Sequence, residues 1–166
     1  MFDLKTMFEL GYAFMNGGET IFHEGAIKNR SKYQNVAGVV NLAFACELFL
    51  KCLLNLEGST TLGHKLRDLW SVYNRISPDD ALVIKNAVMH SMVADLSFEE
   101  MLQDDSNVFY NYRYLYDPGR IDEINDNPLR PQFLRVFCCT LCTYVKEKAF
   151  TMKNRAGPVI GLLLDR

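Results

Sequence analysis

The chain has 166 residues, a formal net charge of -2, 49% hydrophobic and 23% charged residues, figures that fit one soluble globular domain with a full core. The charge balance excludes a surface that is basic all round, so a nucleic-acid partner would need a local patch. Five cysteines, an odd number, fall in apolar helical stretches, as free thiols in a reducing cytoplasm would; no apolar run is expected to reach bilayer length and residues 1–11 lack a basic signal-peptide region, so no membrane partner is expected.

Asp3 predicts the N-cap of a first helix, with Leu4, Met7, Phe8, Leu10, Tyr12 and Phe14 on its apolar faces. Gly17-Gly18 predicts a weak point or kink, with a second piece continuing to about Ile27. The basic connection Lys28–Lys32 leads into a central helix over about 33–56. Steps of four and three along it pick out Val36, Val40, Ala43, Glu47, Leu50 and Leu54, the stripe a helix buries. Glu47 therefore stands in a core stripe, where a carboxylate must be paired, neutralised or close to water. Lys51 follows one turn later, in the favourable order for an ion pair.

Gly58 supplies a helix stop. Leu66, Leu69, Trp70, Tyr73 and Ile76 then recur at helical spacing, behind Gly63-His64-Lys65. Ser77-Pro78-Asp79-Asp80 predicts an N-cap, a first-position proline and first-turn acids for a helix to about Asp95. Ser97-Phe98-Glu99-Glu100 reads as a capping box. A tyrosine-dense stretch around Arg113 follows, closed by Asp117-Pro118-Gly119, then an irregular loop to Pro131. The last long helix covers about 131–154, with Leu134, Phe137, Leu141, Tyr144 and Val145 inward, and an apolar tail, Val159–Leu164, either packs on the bundle or meets another subunit. No strand pattern or internal repeat is visible, so the fold class is all-α: an up-and-down bundle of five to six helices in a single domain.

Three pieces in order carry a resemblance: Glu47-Leu48-Phe49-Leu50-Lys51 in the central helix, Gly63-His64-Lys65-Leu66 opening the next, and Arg113-Tyr114-Leu115-Tyr116-Asp117 ahead of the last. Together, over roughly residues 36 to 148, they resemble the HEPN superfamily, all-α proteins common in bacterial toxin–antitoxin and anti-phage systems. The resemblance implies a HEPN-like bundle, a cytoplasmic homodimer with its site between subunits, an RNA or nucleotide ligand and a cognate antitoxin or other partner protein. Many members are metal-independent ribonucleases whose hallmark is an arginine followed four to six residues later by a histidine. Arg113 matches the arginine, but no histidine follows; His23, His64 and His90 are the only ones in the chain.

Two readings follow, and a third stays open beside them. In the first the chain is a divergent ribonuclease that needs no cofactor or metal. Arg113 then stabilises the phosphate and transition state, Tyr114 and Tyr116 bind phosphate, Asp117, Glu47 or His64 supply acid–base chemistry, and Lys51 lines the same polar pocket. In the second the cleft binds a nucleotide, RNA or partner without catalysis. In the third, Glu47, Lys51 and Arg113 form a structural ion-pair cluster and His64 caps its helix or bonds a neighbour. Near its helix start, the dipole favours a neutral His64 imidazole. Cys138-Cys139-x-x-Cys142 has redox spacing but lies mid-helix, so all of the cysteines are expected to be buried structural thiols.

Overall fold

The computed structural model describes residues 3–23, 32–93, 95–106, 108 and 131–156. Among the described residues are six helices and no strand: α1 (Leu4–His23), α2 (Lys32–Leu56), α3 (Leu66–Ile76), α4 (Pro78–His90), α5 (Phe98–Asp105) and α6 (Pro131–Ala156). The all-α bundle is thus as the sequence reads.

Helix α2 is the axis, with α1, α3 and α6 around it. Its seam is buried as the spacing requires: Val36, Ala43, Glu47, Leu50 and Leu54 lie inside, and Val40 is half-buried. One expectation needs correcting here. The segment Asn35–Leu56 is long and apolar enough to cross a bilayer, with a mean hydropathy of 1.8. Burial of 72% of its most apolar window explains this, since a helix enclosed on all sides by others is apolar all round.

Helix α1 opens on Asp3, whose carboxylate accepts from the N–H groups of Lys5 and Thr6. It does not kink at Gly17-Gly18. A Cβ on Gly18 would stand 2.8 Å from Leu42 Cγ and 3.1 Å from the Gly38 carbonyl oxygen. The missing side chain is what lets two backbones approach, and packing overrides the weak helix propensity of glycine.

At the far end of α2, Gly58 takes φ +72°, and the Ser59 N–H closes on the Leu54 carbonyl at 2.8 Å. This left-handed stop suits glycine. The chain then doubles back along α2, so α3 starts level with Glu47 and ends near Glu57; His64 touches the first and Lys148 joins Tyr73 to the second. Consequently α2 and α3 point the same way, which departs from the expected up-and-down order because the 57–65 connection returns along α2 before α3 starts. Helix α6 does too, since Leu134 and Cys138 lie by Cys46 and Lys148 lies by Glu57.

Leu66, Leu69, Trp70 and Tyr73 are buried as expected, but Ile76, at the end of α3, is 40% exposed. Pro78 sits at the first turn of α4 and Ser77 is its N-cap residue as expected, but the Ser77 hydroxyl does not accept from the helix N–H groups; it donates to Asp80 Oδ2 at 2.9 Å. Helix α4 stops at His90 rather than Asp95; Val93 is fully exposed, while Met92 still packs against the core. Ser97 makes the capping box, its hydroxyl accepting from the Glu100 N–H while its own N–H donates to Glu100 Oε2 at 2.8 Å.

Trp70, Phe98, Phe133 and Phe137 interlock with ring centroids 4.9 to 5.7 Å apart, tying α3, α5 and α6 into one core. Four cysteines are buried, but Cys139 is exposed, because consecutive residues of a helix cannot share one face. Burial pushes the Cys142 thiol up to about 11 and Cys52 up to about 12, which makes them unreactive packing groups. The basic connection from Lys28, the tyrosine-dense stretch, the loop to Pro131 and the apolar tail lie outside the described residues, except for the backbone at Lys32.

Candidate functional site

The anomalous charge of the central helix is the floor of the site. Glu47 is 2% exposed, and α2 holds it there because its neighbours in the stripe are core residues. Its Oε1 accepts from Lys51 Nζ at 2.8 Å and meets His64 Nδ1 at 2.9 Å. The helix delivers Lys51, one turn away. The returning loop delivers His64, which lies just before Lys65, the N-cap of α3. His64 therefore does not cap that helix; its ring leans across to α2.

The three groups differ sharply in exposure: Glu47 2%, Lys51 15% and His64 67% for the side chains. With an ammonium already bound to the same oxygen, a Glu47 carboxylate would accept from Nδ1 of His64, and a neutral ring in that tautomer carries its lone pair on Nε2, across the ring from the carboxylate. A buried carboxylate orienting an accessible imidazole is the arrangement that makes histidine a directed acid–base group. The second carboxylate oxygen, Oε2, is buried and has no hydrogen-bond partner among the described residues.

The sequence thus brings together Glu47, Lys51 and His64 as expected. Arg113, Tyr114, Tyr116 and Asp117 lie outside the described residues.

A second polar cluster escaped sequence reading. Lys148 of α6 binds both Glu57, past the end of α2, and Asp80 of α4, and lies 5.8 Å from the Tyr73 ring centroid. Burial alone would raise the Asp80 carboxyl, but hydrogen bonds from Lys148, Tyr144 and Ser77 hold it below the usual range. Burial would likewise lower the Lys148 ammonium, yet Asp80 and Glu57 raise it. Burial, with Asp80 nearby, pushes the Tyr73 and Tyr144 hydroxyls well up. Asp80, Lys148, Tyr73 and Tyr144 are thus held in the states that bind one another, and with Glu57 they form a latch between α2, α3, α4 and α6. In the sequence Asp80 reads only as a first-turn acid, and nothing there announces a partner 68 residues on.

In comparisons with protein families, characterised proteins and solved structures, nothing matches this chain.

Proposed function

We propose that the chain is a HEPN-like bacterial effector of the toxin or anti-phage type, a divergent ribonuclease acting as a cytoplasmic homodimer without a metal cofactor. The observation that supports this reading is the Glu47–His64 pair, a buried carboxylate 2.9 Å from an imidazole that is 67% exposed. His64 stands in for the histidine missing after Arg113. In this scheme Nε2 takes the proton of a ribose 2′-hydroxyl, the 2′-oxygen bonds to phosphorus, and the 5′-oxygen leaves and is protonated. The products are a 2′,3′-cyclic phosphate and a 5′-hydroxyl. Arg113 neutralises the developing charge on the phosphate, with Tyr114 and Tyr116 as further contacts. Asp117 is the alternative proton donor, and a cognate antitoxin or other partner protein would restrain the activity.

The test is incubation of the purified protein with cellular RNA in the presence of a chelator, beside His64→Ala and Arg113→Ala. Cyclic-phosphate ends from the wild type, reduced about 100-fold or more in either variant, support the enzyme. RNA or nucleotide binding without cleavage selects the non-catalytic module, which the departure from the arginine–histidine spacing favours. Neither binding nor cleavage leaves a structural helical domain. Light scattering at micromolar concentration reads the expected dimer.

A further inference from the structure

Among the described residues, α4 and α6 leave an open groove of about 460 Å³ between them. The two helices run antiparallel. Asp80, at the start of α4, bonds Tyr144 and Lys148 well along α6, while Ala87 and Ser91 share the groove with Val136 and Thr140. Val83 on one wall is 55% exposed, and Cys139 on the other is the exposed one of the five cysteines. The hydroxyls along the groove are already engaged. Ser91 Oγ donates to the Ala87 carbonyl at 2.9 Å, Thr140 Oγ1 to Val136 at 2.8 Å and Thr143 Oγ1 to Cys139 at 3.1 Å, each to a carbonyl one turn earlier. The Tyr144 hydroxyl is turned to Asp80. The groove therefore offers a neighbour mainly methyl and ring carbons, a lining that suits an aliphatic chain and serves a polar ligand poorly.

We infer that this groove is the seat of the chain's own apolar segment, residues 159–164, laid back along α6 in extended form. The reach fits. From Glu147, at one end of the groove, α6 runs on nine residues to Ala156, about 14 Å of helix rise. Gly157-Pro158 is a pair that stops a helix and turns the chain. Four extended residues at about 3.3 Å each then bring the chain back level with Glu147. From there each extended residue passes about two residues of helix. That sets Ile160 level with Glu147, Leu162 with Thr143 and Leu164 with Cys139. Alternation places these three on one face of the segment, with Val159, Gly161 and Leu163 on the other. The bulkier aliphatic face is thus the one in register with the groove. A tether this short also holds the segment at the groove at an effective concentration that a separate chain does not match. The seat is independent of any chemistry at His64.

Cys139 reports on the seat, because the other four cysteines are buried. The experiment follows labelling of the full chain by a water-soluble maleimide, beside a variant carrying Ile160→Ser, Leu162→Ser and Leu164→Ser, with Cys139→Ser as the background. Cys139 of the wild type labels about ten-fold more slowly than in the triple variant, the effect of a local closure of modest stability. A second measurement oxidises Leu164→Cys protein with diamide. A disulfide to Cys139 forms within one chain, identified by peptide mass spectrometry, and Leu163→Cys, on the other face, forms much less of it. Equal labelling rates overturn the seat because nothing covers the groove. Slow labelling that persists in the triple variant overturns it because something else does. A disulfide between chains, with protection that fades on dilution, also overturns it and assigns the groove to the segment of a second copy.

Discussion

Lys51 and His64 bind the same oxygen of Glu47, but they stand on opposite sides of the solvent boundary, and their substitutions diverge accordingly. Lys51→Met leaves a buried carboxylate without its ammonium and costs roughly 3 kcal/mol, the low end for breaking a buried pair because Lys51 keeps 15% exposure. His64→Ala removes a ring that is mostly in water and costs under about 1 kcal/mol. Urea denaturation checks both, and a Lys51→Met protein as stable as His64→Ala would contradict the buried-pair account. Glu47→Leu combined with Lys51→Met recovers stability relative to Lys51→Met alone, since apolar replacement of a whole ion pair is tolerated better than its halving. Glu47 was legible because helical period alone puts it in the core. His64 as its partner was one of several possibilities, since spacing does not say how a loop returns. Cys139 was read as buried because its neighbours are apolar, a signal that averages over faces the helix keeps apart.

Between elements, the closest approach is that of α1 to α2. Gly18 and Gly17 are adjacent, yet they face different surroundings. Alanine at 18 would press on Leu42 at 2.8 Å and on backbone at 3.1 Å, neither of which can retreat cheaply. At 17 the nearest atom is Asn41 Nδ2 at 3.3 Å, the end of a flexible side chain. Gly18→Ala is therefore destabilising by about 1–2 kcal/mol, overpacking outweighing the gain in helix propensity. Gly17→Ala is neutral or stabilising by up to about 1 kcal/mol. Melting temperatures of the two variants should move in opposite directions or differ by several degrees. Helix existence was legible throughout the described residues; α2 and α6 begin and end close to the expected places, and α5 begins at its expected capping box. The departures came where a local rule met tertiary contact: a glycine pair read as a weak point or kink is a packing surface, and the N-cap serine turns its hydroxyl to Asp80.

Across the whole molecule, the Lys148 latch makes stability depend on pH at both extremes. Asp80 is depressed below its ordinary 3.8, so its contribution is complete above that value and is lost as pH falls through the lower folded one. Tyr73 and Tyr144 are raised above 10.0, so the unfolded chain ionises first and stability declines once pH passes 10. Lys148, raised above 10.5, loses its share higher still, as pH rises through its folded value. Thermal melts of the wild type should show little dependence on the latch between about pH 5 and 9. Asp80→Asn should remove its share of the acid-side loss and lower stability in between; an unchanged acid limb would rule the latch out as its source.

The two polar clusters also differ in when a folding chain can complete them. Glu47 and His64 are 17 residues apart, whereas Lys148 reaches back 91 residues to Glu57 and 68 to Asp80. Logarithmic loop-closure scaling makes the longest of these closures harder than the shortest by about 1.5 kcal/mol, and local contacts form faster. The carboxylate–imidazole pair therefore belongs to an early unit of α2, the returning loop and the start of α3, and the latch belongs to the arrival of α6. A ribosome-bound chain ending before Pro131 would already hold Glu47, Lys51 and His64 while lacking Lys148, which makes docking of the last helix the step that ties the Glu57 end of α2 to α4.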